Sequence, residues 1–200
     1  MKVIGVKNNY AANGSTVSGN KKFPDVFFMA DSSIIKTNNP LFLPEFASSF
    51  ALHTAFVFRA CRLGKHIPLK FAHRYIDAVT VGFAAEAQAP TALPDGSPLL
   101  HAFDGAAMLG DFVTINDSMQ SLDGLSVSSA VNGQEMCQAT PAGMTHGICE
   151  IVHELSKVCT IKIGDLFFVL IDDINPVNIK IGDTVTAAVN GEEKLRIRIK

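Results

Sequence analysis

The hydrophobic pattern is most informative between Ala51 and Gln88, where two apolar runs flank a short polar segment. The run from Thr54 to Cys61 is apolar and ends near a Leu-Gly-Lys turn, which predicts a strand. Pro68 is typical of a first helical turn, and the spacing of apolar residues after it predicts a helix to about Val79. The run from Val79 to Ala85 predicts a second strand.

Later segments predict further strands and one long helix. Asn132-Gly133 and Asn190-Gly191 lie between extended runs, and Asn-Gly is a strong signal for a two-residue β-hairpin. Thr140-Pro141 predicts the start of a helix that ends near Val158. The run from Asp165 to Asp172 predicts a buried strand. Many strands with two main helices indicate an α+β, β-rich fold with a mixed, curled sheet, in one domain over residues 1–200.

Two acidic patterns are interpreted as structural. The triplet Ile-Gly-Asp occurs twice, and Asp165 and Asp183 are predicted to be turn acids that precede strands. Glu150 and His153 have the spacing of a helical metal motif, but they lie opposite the apolar face of their helix. We therefore interpret them as part of a solvated stripe.

Composition and charge exclude several classes of partner. Hydrophobic residues make up 48% of the chain and charged residues 18%, with a mean hydropathy of +0.24. This excess of apolar residues is typical of a globular protein that covers part of its surface with a partner subunit. A net charge of −2 argues against nucleic acid or an anionic membrane as partner. No apolar run reaches the roughly 18 residues of a membrane span, so we expect a cytoplasmic protein.

Four segments together resemble the fumarylacetoacetate hydrolase family in its compact bacterial form, over nearly the whole chain. They are KHIPLKFAHRYIDAVTVG, HAFDGAAMLGDFV, IKIGDLFF and IKIGDTVTAAVNGE. The resemblance implies a distorted mixed β-roll that forms a homodimer. It also implies hydrolysis, hydration, decarboxylation or isomerisation of 2-oxo acids such as acylpyruvates, with Mg²⁺ or Mn²⁺. The cation would stabilise the negative charge of an enolate intermediate.

The resemblance also implies that the metal-ligand positions have changed. It aligns the paired glutamates of the family with His53 and Ala55, and the aspartate with Ala84. Hard cations require anionic oxygen ligands, and none of these three residues supplies one. Glu86 lies two residues after Ala84 and would face the same side of an extended strand, which makes it a candidate substitute.

The other functional positions of the family have changed as well. The resemblance places the family's catalytic base at Asn13 and its substrate-holding lysine at His101. It aligns the family's Gly-Asn-Thr segment, which follows the hairpin, with Ala139-Thr140-Pro141, so that Thr140 takes the central position. We therefore expect a catalytically degenerate member that needs no cofactor. Such a protein would still bind a small carboxylic or 2-oxo acid, or serve through its dimer surface.

Two alternatives remain. In the first, the chain is an active divalent-metal-dependent hydrolase, isomerase or decarboxylase whose site has been rebuilt on acids such as Glu45 or Glu86. In the second, His53 and His101 bind a softer metal, because imidazole suits zinc, nickel or copper. Two histidines without a third ligand form a weak site.

Overall fold

The computed structural model describes residues 1–10, 25–91, 93–94, 96–115, 122–171 and 176–200. The helices are α1 (Leu69–Ala72) and α2 (Ile148–Val158), with short 3₁₀ turns at Asp31–Ser33, His73–Tyr75, Pro98–His101 and Pro141–Gly143. The strands are β1 (Val3–Lys7), β2 (Asp25–Met29), β3 (Ile34–Lys36), β4 (Ala47–Ala60), β5 (Ile76–Pro90), β6 (Ala107–Leu109), β7 (Val113–Thr114), β8 (Val127–Val131), β9 (Gln134–Ala139), β10 (Leu166–Leu170), β11 (Val177–Ile179), β12 (Thr184–Val189) and β13 (Glu192–Arg198).

Two sheets form the fold. The larger has the order β2-β1-β10-β4-β5-β6-β3, with β11 paired to β4 and β7 to β5. It is mixed, because β1 pairs with β10 and β3 with β6 in parallel, while its other pairs are antiparallel. The smaller sheet is antiparallel, with the order β13-β12-β8-β9. The predicted α+β, β-rich fold with a curled mixed sheet is confirmed.

The two long strands β4 and β5 form the centre of the larger sheet. They pair antiparallel from Ala47 opposite Pro90 to Ala60 opposite Ile76. The predicted helix from Pro68 to Val79 is therefore too long, since α1 ends at Ala72 and β5 begins at Ile76. The β-branched residues from Ile76 onward favour a strand, and pairing with β4 satisfies their backbone.

The second predicted helix starts later than expected. Pro141 begins only a 3₁₀ turn, and α2 begins at Ile148 after Gly147. The side chain of Glu150 accepts a hydrogen bond from the N–H of Gly147 at 2.8 Å, which caps this later start. Ile151 and Leu155 are buried in the core, whereas Val158 is exposed. In the part of the chain that the structure describes, no helix is long and apolar enough to cross a membrane.

The Asn-Gly turns and the Ile-Gly-Asp turns both form as predicted. Asn132 and Asn190 have φ values of 51°, and the glycines that follow also have positive φ, as a type I′ hairpin requires. The carboxylate of Asp165 accepts from the N–H of Lys162, and that of Asp183 from the N–H of Lys180. Each aspartate therefore closes the turn before its strand.

Two apolar clusters lie on opposite faces of β4 and β5. The larger includes Phe56 and Phe83 and packs against α2 and the smaller sheet. The smaller includes Ala55, Ala84 and Phe168. Since alternate residues of a strand face opposite sides, the residues that share a face with Ala55 and Ala84 belong with the smaller cluster. This second face carries the polar residues of the candidate site.

Candidate functional site

Four polar side chains from separate elements meet beside the smaller apolar cluster. Lys7 is the last residue of β1, His53 lies on β4 and Glu86 on β5. His101 is the last residue of the 3₁₀ turn that follows Ser97, whose side chain caps that turn. The fold thus brings together the predicted residues His53, Glu86 and His101, together with a lysine that the sequence did not single out.

The register of β4 and β5 sets the position of the carboxylate. His53 is opposite Ala84, Ala55 is opposite Gly82, and Glu86 is opposite Ala51. His53 and Glu86 are therefore diagonal neighbours on one face. Nε2 of His53 lies 3.7 Å from Oε2 of Glu86, while the other carboxylate oxygen lies 3.6 Å from Nε2 of His101.

Lys7 contacts the same ring nitrogen of His101 as Glu86 does. Its Nζ lies 3.3 Å from Nε2 of His101. An ammonium can only donate, so Nε2 accepts and the neutral imidazole carries its proton on Nδ1. Nζ of Lys7 also lies 4.8 Å from the centre of the Phe27 ring, and that ring lies 4.4 Å from the ring of His101. Phe27 therefore packs against both polar groups.

The position of Phe27 depends on a glycine. Gly5 on β1 is paired with Phe27 on β2. A Cβ atom at Gly5 would lie 2.1 Å from the Phe27 ring, so the ring occupies the space that any other residue would fill. A glycine inside a strand often marks such a close approach. Gly5 thus positions the aromatic wall of the site.

Burial and the neighbouring charges set the protonation of the site. The pKa of His101 is lowered to about 4, chiefly by burial; Glu86 opposes this shift, and the charges of Lys7 and His53 add to it. The pKa of Glu86 is also lowered, chiefly by its contact with His53 and then by the charges of His101 and Lys7, against the effect of burial. At neutral pH the site therefore holds an ammonium, a carboxylate and a neutral imidazole.

A cavity of about 500 Å³ opens beside these groups. Its volume is in the range of small-molecule sites. Its wall combines the charges of Lys7 and Glu86 with apolar side chains. The lining residues are Lys7, Val26, Phe27, Phe28, Glu86, Gly96, Ser97, Pro98, Leu100 and His101.

The predicted metal positions on the same face offer no ligand oxygen. Ala55 is fully buried and Ala84 is 1% exposed, and both pack among apolar side chains such as Phe168. Glu45, weighed as a replacement acid, is exposed and does not line the cavity as the structure describes it. Among the described residues that line the cavity, Glu86 is thus the one carboxylate.

Of the two other predicted positions, the structure describes Thr140, whereas Asn13 falls outside the described residues. The backbone N–H of Thr140 donates to the hydroxyl of Tyr10 at 3.2 Å, and that hydroxyl lies 3.1 Å from the carbonyl oxygen of Thr140. The neighbouring Asn9 side chain bonds to the backbone of His146 in both directions at 2.9 Å. These contacts give Thr140 a structural role at the strand end.

Sequence reasoning missed Lys7 and Phe27. Lys7 ends the inner strand β1 and Phe27 lies on the edge strand β2. Their approach to His101 depends on the pairing of β1 with β2 and β10. A glycine within an apolar strand was the available signal, because it indicates that another group approaches the backbone closely. The sequence does not say which group that is.

This architecture defines a β-rich protein with a cavity at the end of a curled mixed sheet. The sequence matches the family described as fumarylacetoacetate (FAA) hydrolase C-terminal over residues 2–200, so the chain belongs to this family.

Relatives agree with this assignment. The chain is 24% identical, over 94% of its length and 68% of the relative, to fumarylacetoacetate hydrolase domain-containing protein 2 homolog of Dictyostelium discoideum. It is 30% identical to the oxaloacetate tautomerase YcgM of Escherichia coli, over 45% of this chain and 41% of that protein.

Solved structures share the fold. A 5-carboxymethyl-2-hydroxymuconate delta-isomerase from Mycobacterium smegmatis is 27% identical, with a TM-score of 0.84 over 99% of this chain and 78% of its own. A fumarylpyruvate hydrolase from Pseudomonas aeruginosa, solved with Mn²⁺ and pyruvate, is 19% identical, with a TM-score of 0.81 over 100% of this chain and 89% of its own.

The donor set of this chain does not fit the divalent cation of that hydrolase. Mg²⁺ and Mn²⁺ prefer several oxygen ligands. With Ala55 and Ala84 at the family's ligand positions, the described part of the site offers a single carboxylate, that of Glu86, beside an ammonium. The softer metal considered for His53 and His101 fits no better, since Nε2 of His101 already accepts from Lys7. Among the described residues, no group of three or more His, Cys, Asp or Glu side chains is arranged to hold a metal ion.

Proposed function

We propose that this protein binds a small carboxylic or 2-oxo acid in the cavity beside Lys7 without a divalent cation, and that it lacks the metal-dependent chemistry of its relatives. The observation that carries the proposal is the placement of the Lys7 ammonium, 3.3 Å from His101, in the wall of a cavity of about 500 Å³. An ammonium there would pair with a ligand carboxylate, a role that a chelated metal would otherwise fill.

Acid–base properties favour binding over catalysis. Proton removal next to a carbonyl is most efficient when the pKa of the base lies near the working pH. The pKa of His101 is about 4, and that of Glu86 is lowered, so both are weak bases at neutral pH. The name of the oxaloacetate tautomerase relative supports a 2-oxo acid as one ligand class to test.

Calorimetric titration of chelator-treated protein would test this proposal. We expect pyruvate to bind with a dissociation constant on the order of 1 mM without added metal. We expect no heat from Mn²⁺, alone or with oxalate as a mimic of the enolate. Stoichiometric Mn²⁺ binding that oxalate strengthens would overturn the metal-free proposal, and acylpyruvate turnover should then be assayed.

We also propose that the chain forms a homodimer. Three large apolar side chains are well exposed within a few residues of the isolated β-bridge between Gly64 and Ile161. They are Leu63 (65% exposed), Val158 (68%) and Ile163 (71%). Large exposed apolar side chains grouped in this way are typical of an interface. Sedimentation at micromolar concentration should show a dimer, and Ile163→Glu should weaken it. A wild-type monomer at that concentration would overturn the proposal.

A further inference from the structure

The described residues of the cavity wall include two charges of opposite sign. Lys7 Nζ and Glu86 Oε1 lie 3.3 Å and 3.6 Å from the same nitrogen of His101. One small ligand can therefore reach both groups. His101 adds no net charge between them, because burial lowers its pKa to about 4.

From this arrangement we propose that the cavity prefers a zwitterionic α-amino acid over the corresponding 2-oxo acid, with Lys7 holding the carboxylate and Glu86 the ammonium group. This inference rests on the proposed function, since both ligands are small carboxylic acids held by Lys7. The new element is a positive charge on the ligand, which the carboxylate of Glu86 would bind.

Electrostatics distinguishes the two ligand classes. A purely anionic ligand on Lys7 would lie close to the carboxylate of Glu86 and be repelled by it. An ammonium group on the α-carbon changes that repulsion into attraction. Glu86 is also the most accessible of the three side chains in contact, with 30% of its side chain exposed against 7% for His53 and 13% for His101. Its carboxylate is therefore available to a ligand.

The rest of the wall indicates the ligand side chain. Val26, Phe27, Pro98 and Leu100 all line the cavity. Apolar walls with a few placed polar groups are typical of sites for small organic ligands. An aliphatic amino acid such as leucine matches both the charges and the apolar wall.

Calorimetry with matched ligands tests the preference. L-leucine and 4-methyl-2-oxopentanoate have the same carbon skeleton and differ at the α-carbon, while 4-methylpentanoate lacks both α-substituents. We expect wild-type protein at pH 7.5 to bind leucine at least about tenfold more tightly than either acid. This comparison varies the ligand alone and does not depend on the folding of any variant.

Two variants assign the charges. Glu86→Gln keeps the shape of the side chain and should remove the preference, because it should weaken the binding of leucine and strengthen the binding of the oxo acid. Lys7→Met should weaken the binding of both ligands. If wild-type protein binds 4-methyl-2-oxopentanoate as well as or better than leucine, the zwitterion inference is wrong and the proposed function stands. If folded wild-type protein binds none of the three but binds pyruvate, only the zwitterion inference is wrong. If it binds none of the four, both are overturned.

Discussion

Lys7 and His101 are 94 residues apart in the sequence, yet the ammonium nitrogen of Lys7 lies 3.3 Å from Nε2 of His101. This contact places a positive charge where a protonated imidazole would be unfavourable, and it is one of the causes that lower the pKa of His101. The wall of the cavity therefore contains an ammonium from β1 and a neutral histidine from a distant turn.

Replacement of Lys7 by Met should raise the pKa of His101 from about 4 towards its ordinary value, because one positive charge is removed. The same change should abolish binding of pyruvate. NMR titration of the His101 ring protons would measure the first effect and calorimetry the second. Lys36→Met, at an exposed lysine on β3, is the matched control and should change neither. An unchanged His101 titration in the Lys7 variant would contradict the described contact.

The free energy of unfolding should fall as pH is lowered below about 6.5. The folded pKa of His101 is lowered from 6.5 to about 4, so the unfolded chain takes up a proton in this window and the folded protein does not. The contribution of the neutral His101 to the free energy of unfolding is thus complete above pH 6.5 and is lost as pH falls towards 4. Between pH 7 and pH 5 the loss should be about 2 kcal/mol.

Urea denaturation at both pH values would measure this loss, and His101→Gln is the control that separates it from other titrating groups. The variant should show a smaller decrease in stability from pH 7 to pH 5 than wild type. Since the lowered pKa of Glu86 acts below the ordinary carboxylate value of 4.5, it contributes little in this range. Equal decreases in the two proteins would show that His101 is protonated in the fold.

Replacement of Asp165 should destabilise the protein more than replacement of the other turn aspartate, Asp183. Its carboxylate is fully buried, pairs with the ammonium of Lys2, and accepts from the backbone N–H groups of Lys2 and Lys162. Asp165→Asn should cost about 2 to 4 kcal/mol, because it leaves the Lys2 charge without its partner. Asp183→Asn should cost less, since Asp183 accepts from the neutral amide of Asn132. Urea denaturation midpoints of both variants would rank them, and a larger loss at Asp183 would contradict this explanation.

Gly5→Ala should disturb the cavity through Phe27. The added methyl group would lie 2.1 Å from the Phe27 ring, so the ring must move away from His101 and Lys7. We expect weaker ligand binding and a loss of about 1 to 3 kcal/mol in stability from overpacking. Gly124→Ala is a suitable control, because no atom lies within 4 Å of the added Cβ. Unaltered ligand affinity in the Gly5 variant would show that Phe27 does not shape the site.

The sequence predicted those features that depend on local chemistry. Asn-Gly pairs readily adopt the positive φ of a type I′ turn, and the shared side of Ala84 and Glu86 follows from alternation once β5 is a strand. The helix predicted to reach Val79 was too long because apolar β-branched residues satisfy a helical period over so short a segment, and pairing with β4 decides in favour of a strand. Lys7 was missed because its approach to His101 depends on contacts between distant segments.

Three substitutions would restore the carboxylates that the family resemblance places on the face of β4 and β5 that carries Ala55 and Ala84. His53→Glu, Ala55→Glu and Ala84→Asp together would add three anionic groups where Ala55 and Ala84 are now 0% and 1% exposed. Without metal, burial and mutual repulsion of these charges should lower the unfolding temperature. A cation bound between them would offset both effects.

Thermal unfolding with and without Mn²⁺ therefore provides the test. In the presence of chelator the triple variant should be less stable than wild type, and saturating Mn²⁺ should raise its unfolding temperature by several degrees, since ligand at about 100 times its dissociation constant adds about 3 kcal/mol. The matched control carries Gln, Gln and Asn at the same positions, which reproduces the added volume without charge, and should not respond to Mn²⁺. If the acidic variant folds with Mn²⁺ present during refolding and still shows no metal-dependent shift, then His53, Ala55 and Ala84 do not occupy the ligand positions of the family. In that case the metal-free character of the cavity would have to rest on the Lys7, His101 and Glu86 contacts alone.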